Sequence, residues 1–242
     1  MLLPFFKYCR AILSLSVYGY GDMSTLAFEL GEFNSLREFK LEDSGAVWPE
    51  VIEALNGHVG LVKLALHGND PLLQNDGIAP LASLLQNLTV LELTAGIDNE
   101  GADILSVGLY GNTTLRELAI RQNLNIAETG WQAIFAALQV PHFSLEKLDI
   151  GHSKLNDACA LALSGALHYN TTLKALDLSD LTWLTSNEGV YTSSITNETW
   201  EELFAGILQT PYSVLEYLEL QANGLRDDNI ISLTSALVGN GR

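Results

Sequence analysis

The stretch that decides the fold is Asn-Thr-Thr-Leu-Arg-Glu-Leu-Ala-Ile-Arg-Gln-Asn, residues 112–123. Leu115, Leu118 and Ile120 alternate with polar or small residues in the last part of this stretch, and an alternation with period two is typical of a short strand that buries one face. Asn123 follows three residues after the last apolar position. An asparagine at a turn offers both an amide donor and a carbonyl acceptor to unpaired backbone.

The same apolar register, Leu-x-x-Leu-x-Leu, recurs along the chain. Its first leucines are separated by 25, 27, 27, 30, 28 and 42 residues. The seven copies begin at Leu36, Leu61, Leu88, Leu115, Leu145, Leu173 and Leu215. Self-similarity at such a period indicates a solenoid of stacked units, and solenoids mostly supply binding surface for a partner.

A helix is predicted after each asparagine turn. Trp131, Ile134, Phe135 and Leu138 lie at i, i+3, i+4 and i+7, which puts them on one helical face. Helix starts are predicted at the short polar residues that follow each turn, whose side chains can accept free backbone N–H groups. These residues are Asn99, Asp157 and Asp228.

Stacked strand–helix units require parallel strands joined by helical crossovers. Strands pack about 4.8 Å apart and helices about 8–10 Å apart, so the array must curve with its strands on the inside. The sequence therefore predicts an α/β, right-handed horseshoe of about seven to eight repeats, with parallel strands on the concave face and helices on the convex face.

The repeats resemble those of leucine-rich-repeat proteins, specifically the ribonuclease-inhibitor-like subtype. The resemblance runs from Leu36 to Asn240 and is carried by NTTLRELAIRQN (112–123), SLEKLDIGHSKLNDACALALSGALHYN (144–170) and NTTLKALDLS (170–179). The family includes cytosolic ribonuclease inhibitors, the sensor arms of NOD-like receptors and Ran GTPase-activating proteins. It implies the fold and a protein-binding role, but such a range does not fix one function. The ribonuclease inhibitors are rich in cysteine and this chain is not.

The whole chain, residues 1–242, is predicted to be a single solenoid. Residues 1–35 are expected to form a degenerate first repeat or an amino-terminal cap, with a first strand built on Arg10-x-x-Leu13-x-Leu15. At the other end, residues 238–242 lead into no polar capping repeat, although solenoids need caps for solubility. Two interpretations stay open: the solenoid is cut from a longer chain, or its open end stacks on a partner or on itself.

The 42-residue interval contains an insertion of about 14 residues, predicted as a loop over 181–199. Trp183 and Tyr191 lie in it. Loops carry function more often than the scaffold does, and exposed aromatic residues are common binding anchors. A tolerated, functionless insertion is the alternative, because the cost of a longer loop grows slowly.

Composition narrows the class of partner and the compartment. The formal net charge of −17 and a pI near 4.4 disfavour nucleic acid and anionic membranes, which need basic patches. No apolar run reaches the roughly 18 residues of a transmembrane helix, and Lys7 and Arg10 interrupt the apolar start of the chain, unlike a signal peptide. Cys9 and Cys159 lie too many repeats apart for a disulfide, so we expect thiols and a cytoplasmic protein.

The sequence contains no strong catalytic, cofactor or metal signature, such as a phosphate-binding loop or a paired-cysteine zinc motif. The five histidines are scattered over different parts of the repeat, so a shared metal is not expected. No catalytic, cofactor-binding or metal-binding residue is therefore predicted, and the chain is expected to be non-enzymatic.

The strand face becomes acidic toward the carboxyl end. From Asp180 to the end there are nine Asp or Glu residues against two Arg, a net charge of −7. This surface predicts a protein partner, and a basic one fits it best; the sequence does not fix the oligomeric state. The candidate partner-binding residues are Glu146, Asp149, Asp177, Trp183, Tyr191, Glu216, Tyr217 and Glu219.

Two alternatives follow from the resemblance. One is a GTPase-activating protein for a Ran-type GTPase, in which Arg121 or Asn123 would supply the functional group. The other is the sensor arm of a larger NOD-like receptor-type protein.

Overall fold

A computed structural model describes residues 11–18, 24–31, 35–42, 48–68, 75–94, 96–139, 144–184 and 191–239. For residues 24–25, 48–49, 75–78, 182–184 and 191–193 it describes the backbone alone.

Strands and helices alternate along the described chain. The strands are β1 (Ser14–Tyr18), β2 (Glu38–Glu42), β3 (Lys63–His67), β4 (Val90–Thr94), β5 (Glu117–Arg121), β6 (Lys147–Asp149), β7 (Ala175–Asp177), β8 (Thr182–Leu184), β9 (Tyr191–Ser193) and β10 (Tyr217–Glu219). The helices are α1 (Ser24–Leu30), α2 (Trp48–Leu55), α3 (Asn75–Leu84), α4 (Asn99–Leu109), α5 (Glu128–Leu138), α6 (Asp157–Leu167), α7 (Asn197–Leu208) and α8 (Asp227–Gly239).

Eight of the strands form one parallel, unclosed sheet in the order β1-β2-β3-β4-β5-β6-β7-β10. Each helix packs against the helix of the next repeat. The predicted α/β solenoid of seven to eight repeats is therefore confirmed. Because helices need more room than strands, the sheet forms the inner, concave face.

The repeated leucines form the core. Leu115, Leu118 and Ile120 are almost completely buried, and so are their counterparts from the second to the seventh repeat. Full burial of one such side chain contributes roughly 2 kcal/mol. Their counterparts in the last repeat, which include Leu218, are only partly buried.

An asparagine turn joins two of the described repeats to the one before. Asn123 donates Nδ2 to Leu93 O at 3.0 Å and accepts from Ile97 N at 3.0 Å, both in the preceding repeat, and Nδ2 also donates to Arg121 O of its own repeat at 3.0 Å. Asn223 repeats the arrangement with Leu178 O at 2.6 Å and Leu181 N at 2.8 Å. Asn69, which the sequence places at the same position of its repeat, lies outside the described residues.

A left-handed residue precedes this turn position in four repeats. Gln122, His152, Asp180 and Ala222 have φ between 51° and 59°, and each lies seven residues after the first leucine of its repeat. This conformation turns the chain sharply out of the strand. It costs a residue with a Cβ roughly 1–2 kcal/mol.

The helix caps lie one residue earlier than predicted. Asp98 and Asn156 cap α4 and α6 by accepting from the backbone N–H three residues on, at 3.0 Å in both helices. Asn99 and Asp157 begin these helices instead and accept at 2.7 Å from the backbone of Ala127 and Thr196, respectively. Each therefore bonds to the N-cap residue of the following repeat. Asp228, the third predicted cap, is the second residue of α8.

The first strand has a different register from the predicted one. Leu15 pairs with Phe39 and Val17 with Leu41, so Ile12-x-x-Leu15-x-Val17 is the first repeat, two residues later than Arg10-x-x-Leu13-x-Leu15. Leu13 is 57 % exposed, whereas Leu15 and Val17 pack against the core. The later register places the apolar Ile12, and not Arg10, at the first core position, so Ile12, Leu15 and Val17 all pack against the core.

The insertion is not simply a loop. Strands β8 and β9 form an antiparallel hairpin in which Trp183 pairs with Thr192 and Leu184 with Tyr191. The last three residues of the predicted range, 197–199, open α7. Leu181 and Ile195 are buried on either side of the hairpin, so the insertion leaves and re-enters the core at these two residues.

Candidate interaction surface

Three acidic residues line up on the concave face of the carboxyl half. In the register of the sheet, Asp149 of β6 lies opposite Asp177 of β7, and Asp177 lies opposite Glu219 of β10. Neighbouring strands are about 4.8 Å apart, which brings like charges close together. We call Asp149, Asp177 and Glu219 the acidic row.

Asp149 is the least exposed member of the acidic row, at 7 %. Its Oδ1 accepts from Gly151 N at 3.1 Å, and its Oδ2 lies 3.2 Å from the guanidinium of Arg121. Burial, with a further contribution from the charge of Asp177, raises its pKa above the ordinary aspartate value. The prediction that Asp149 is part of an open surface is therefore corrected: β5 and β7 on either side cover it.

Asp177 and Glu219 are more accessible and form no ion pair with any described side chain. Asp177 accepts from Ser179 N at 2.9 Å, and Glu219 accepts from Gln221 N at 3.1 Å. These backbone bonds hold the carboxylates in place. Both residues have the position and accessibility that the sequence predicted.

Tyr217 lies beside the row and is 55 % exposed. Its hydroxyl donates to Glu219 Oε2 at 2.7 Å, which fixes the phenol ring against the row. The hydrogen bond to the ionised Glu219 raises the pKa of Tyr217. Tyr217 is thus an accessible aromatic ring held beside carboxylates, and its role as a binding anchor stays a prediction.

Glu146 and Glu216, each one residue before a strand, differ in whether they form an ion pair. Glu146 is held by Lys174 Nζ at 2.8 Å and lies 3.7 Å from Arg116 Nε, and the hydrogen bond from Lys174 lowers its pKa. Glu146 is thus neutralised within the protein. Glu216 is exposed and has no ion pair with a described side chain.

The side chains of Trp183 and Tyr191 lie outside what the structure describes, so their predicted role as exposed anchors stays a prediction. Their backbones form the hairpin that starts one residue after Leu181, on the chain that leaves β7.

Two acids in the amino half of the face are paired internally. Glu92 is bound by Lys63 at 2.7 Å and by His67 Nε2 at 3.4 Å. The hydrogen bond from His67 is the main cause that lowers the pKa of Glu92 to about 2. Glu42 is paired with Lys40 in the same way. Glu38 and Glu117 of the same half are exposed and form no ion pair with a described side chain, so accessible acids without an ion pair lie in both halves.

A depression of about 380 Å³ lies between the two halves, which the sequence did not predict. Its floor is Ala119, set between Glu92 and Asp149 of the neighbouring strands, and Arg121 and Lys147 stand at its wall. The sequence signal for this depression was Ala119, a small residue whose partners on both neighbouring strands are charged. Its lining carries both signs of charge, so it lacks the acidic bias of the row.

Within the described part of the chain, no group of three or more His, Cys, Asp or Glu side chains is arranged to hold a metal ion. No helix of that part is long and apolar enough to span a membrane.

Comparison with known proteins gives distant similarities. No family model matches the chain. It is 27 % identical over 211 residues to the human NACHT, LRR and PYD domains-containing protein 5, which covers 84 % of this chain and 16 % of that protein. Taken with the parallel sheet described above, this supports a repeat of the leucine-rich type. The ribonuclease-inhibitor-like subtype stays a prediction.

Two further similarities cover large parts of the chain. The FERM domain-containing protein C of Dictyostelium discoideum is 25 % identical over 158 residues, 64 % of this chain and 10 % of that protein. The chain thus spans at most about a sixth of either relative. A yeast structure of the Rad7 and Elc1 complex includes a chain with 14 % identity and a TM-score of 0.40, over 96 % of this chain and 69 % of that one.

Proposed function

We propose that this solenoid is a non-enzymatic protein-interaction module that presents the carboxyl half of its concave face to a basic protein partner. The observation that carries the proposal is the acidic row with its neighbour Tyr217. Asp177 and Glu219 are fixed by backbone hydrogen bonds and lack a cation of their own. Glu92 and Glu146, by contrast, are already paired with lysines.

The energetics favour an external cation. Asp149, Asp177 and Glu219 repel one another across adjacent strands, and Asp149 is ionised at a cost from burial. A lysine or arginine supplied by a partner would relieve the repulsion, while Tyr217 would supply apolar contact area.

Capture from native lysate followed by mass spectrometry tests the proposal. The variant Asp177→Lys/Glu219→Lys reverses the row, whereas Asp103→Lys/Glu201→Lys makes the same charge change on the convex helices α4 and α7. We expect wild type and the convex variant to retain the same basic proteins, and the row variant to lose them by at least about tenfold. Equal capture by all three would contradict the proposal. Asp149 is left unchanged because a lysine there would bury an unpaired charge.

A second candidate function is the sensor arm of a larger receptor. It is supported by the similarity to a human protein whose name includes NACHT and LRR domains and of which this chain spans 16 %. A receptor arm would still bind through its concave face, so the capture experiment applies to it too. A nucleotide-binding domain in the same natural polypeptide would distinguish it from a free-standing module.

The Ran-type GTPase-activating alternative finds no support in the two residues that it needs. Arg121 is engaged by Asp149 at 3.2 Å, and Asn123 is buried with its amide bonded to Leu93 and Ile97. We place the module in the cytoplasm; the support for this location is the free, buried thiol of Cys159.

A further inference from the structure

Three aromatic rings meet on the edge of the solenoid where helices α6 and α7 return to the sheet. His168 packs edge-on against Tyr169 with ring centroids 4.5 Å apart, and Tyr169 lies 5.8 Å from Tyr212. Tyr169 is 73 % exposed and Tyr212 is 48 % exposed. We call His168, Tyr169 and Tyr212 the aromatic platform.

The rings of the platform are not part of the hydrophobic core. The core has its own aromatic pairs, Trp131 with Phe135 and Trp200 with Phe204, and these four side chains are fully buried. The platform rings lie on two different repeats and are exposed together. Exposed aromatic clusters are unfavourable in water unless they serve a contact.

The backbone under the platform is fixed. Thr210 is buried and donates its hydroxyl to His168 O at 2.7 Å, which ties the two loops together. Its Oγ1 also accepts from Tyr212 N at 3.3 Å. The rings are therefore held in a preformed arrangement, which reduces the ordering cost of binding.

The platform and the acidic row share two repeats. Tyr169 precedes β7 and Tyr212 precedes β10, the two strands that carry Asp177 and Glu219. Glu216, exposed and without an ion pair to a described side chain, follows Tyr212 along the chain. A partner that binds these two repeats would therefore have both carboxylates and aromatic faces available.

The chemistry of the rings selects the partner group. Aromatic faces are negative and attract cations, and the planar guanidinium of arginine stacks on them better than the ammonium of lysine. We propose that the aromatic platform binds arginine side chains of the basic partner. The inference rests on the proposed function for the charge of that partner and adds which basic residue it must present.

The test compares two labelled nonapeptides, one alternating arginine and serine and the other alternating lysine and serine, by fluorescence anisotropy at physiological salt. We expect the arginine peptide to bind more tightly. The variant Tyr169→Ala/Tyr212→Ala should weaken it by about two- to fivefold per ring. Tyr169→Phe/Tyr212→Phe, which keeps both rings, should retain most of the affinity.

Tyr110 provides the matched control. It follows α4 at the corresponding edge and is 69 % exposed, but it has no ring contact among the described residues. Tyr110→Ala should leave the affinity unchanged. An equal loss with Tyr110→Ala, equal affinity for both peptides, or no binding of the arginine peptide to wild type at millimolar concentration would overturn the inference.

Two further outcomes separate the inference from the proposed function. If Asp177→Asn/Glu219→Gln weakens binding and the tyrosine variant does not, the acidic row stands and the platform is wrong. If only the tyrosine variant weakens it, the platform stands and the proposed role of the row is contradicted. Self-association that Tyr169→Ala/Tyr212→Ala abolishes would assign the platform to a second copy and overturn the inference as well.

Discussion

At the scale of single residues, the turn asparagines carry the bonds between repeats. Asn123 bonds to Leu93 O and Ile97 N of the preceding repeat and is almost fully buried. Asn123→Ala removes both bonds from a buried site, and we expect a loss of about 3 kcal/mol in the free energy of unfolding. Urea unfolding followed by circular dichroism measures it.

Ser153 holds the same position one repeat later and is the control for this prediction. Its hydroxyl makes only two contacts of 3.4 Å, to Ile120 O and Gly151 O. Ser153→Ala should therefore cost about 1 kcal/mol or less. Equal losses for the two variants would show that the turn bonds are not what joins the repeats.

Asp149 gives a prediction with opposite effects on stability and binding. Because burial raises its pKa in the folded state, the folded protein binds this proton more tightly than the unfolded chain does. Ionised Asp149 therefore lowers stability at neutral pH, and the penalty disappears as the pH falls through its raised pKa. Asp149→Asn keeps an acceptor for Gly151 N and should raise the free energy of unfolding at pH 7.

The measurement is urea unfolding of both proteins at pH 7 and at a pH below the ordinary aspartate value, where the difference should vanish. Asp177→Asn, at the more accessible neighbour, should change stability by less than about 0.5 kcal/mol. The same Asp149→Asn protein should bind the basic partner more weakly. A stability loss at pH 7 would mean that the Arg121 ion pair outweighs the cost of burial.

The alternation of apolar and polar residues predicted which side chains face the concave side, because a strand has period two. It did not predict that Asp149 is buried, since its cover comes from Arg121 and from strands about 28 residues away. The left-handed turn residues were also missed. Gln122, His152, Asp180 and Ala222 share a backbone conformation but no side-chain type, so no residue pattern marks them.

At the scale of elements, the helices can stack because small residues lie where they meet. A Cβ on Gly108 of α4 would lie 2.9 Å from Ala82 Cα and 2.7 Å from Leu85 Cδ1 on the preceding repeat. Backbone at that distance cannot move aside easily, so Gly108→Ala should lower the free energy of unfolding by about 1–3 kcal/mol.

Gly165 of α6 is the matched case, because a Cβ there would find its nearest neighbour 3.9 Å away, at Gln139 Nε2. Gly165→Ala should raise stability by about 0.5–1 kcal/mol, because alanine favours the helix and restricts the unfolded chain. Thermal and urea unfolding of the two variants should therefore shift in opposite directions. Shifts of the same sign would contradict the assigned helix contacts.

The period of the leucines predicted the order of strands and helices, but not the edges of the elements. A shift of two residues preserves the alternation. The sequence pattern therefore allows both Arg10-x-x-Leu13-x-Leu15 and Ile12-x-x-Leu15-x-Val17, and the pairing with β2 shows that the second is the first repeat. The hairpin of β8 and β9 was missed although its signal is present, because residues 182–185 and 190–193 are rich in Thr, Trp, Val and Tyr and flank the polar, glycine-containing residues 186–189.

At the scale of the whole molecule, the solenoid is a scaffold with uniform repeats and an uneven surface charge. In the amino half, Lys40 and Lys63 pair with Glu42 and Glu92 but Glu38 and Glu117 have no ion pair, whereas in the carboxyl half Asp177, Glu216 and Glu219 form no ion pair with a described side chain. The sequence predicted this polarity from composition alone. Which acids are already neutralised depends on contacts between repeats, as Glu146 with Lys174 shows.

Hydrogen–deuterium exchange of the full chain, with and without a basic partner isolated by the capture described above, tests the central claim most directly. Binding at the acidic row predicts slower exchange of backbone amides in β7, β10 and the turns that follow them, 175–181 and 217–223. The outer helices α4 and α5 should exchange at the same rate in both states. Protection confined to the helices, with β7 and β10 unchanged, would contradict the claim that the carboxyl half of the concave face is the binding surface.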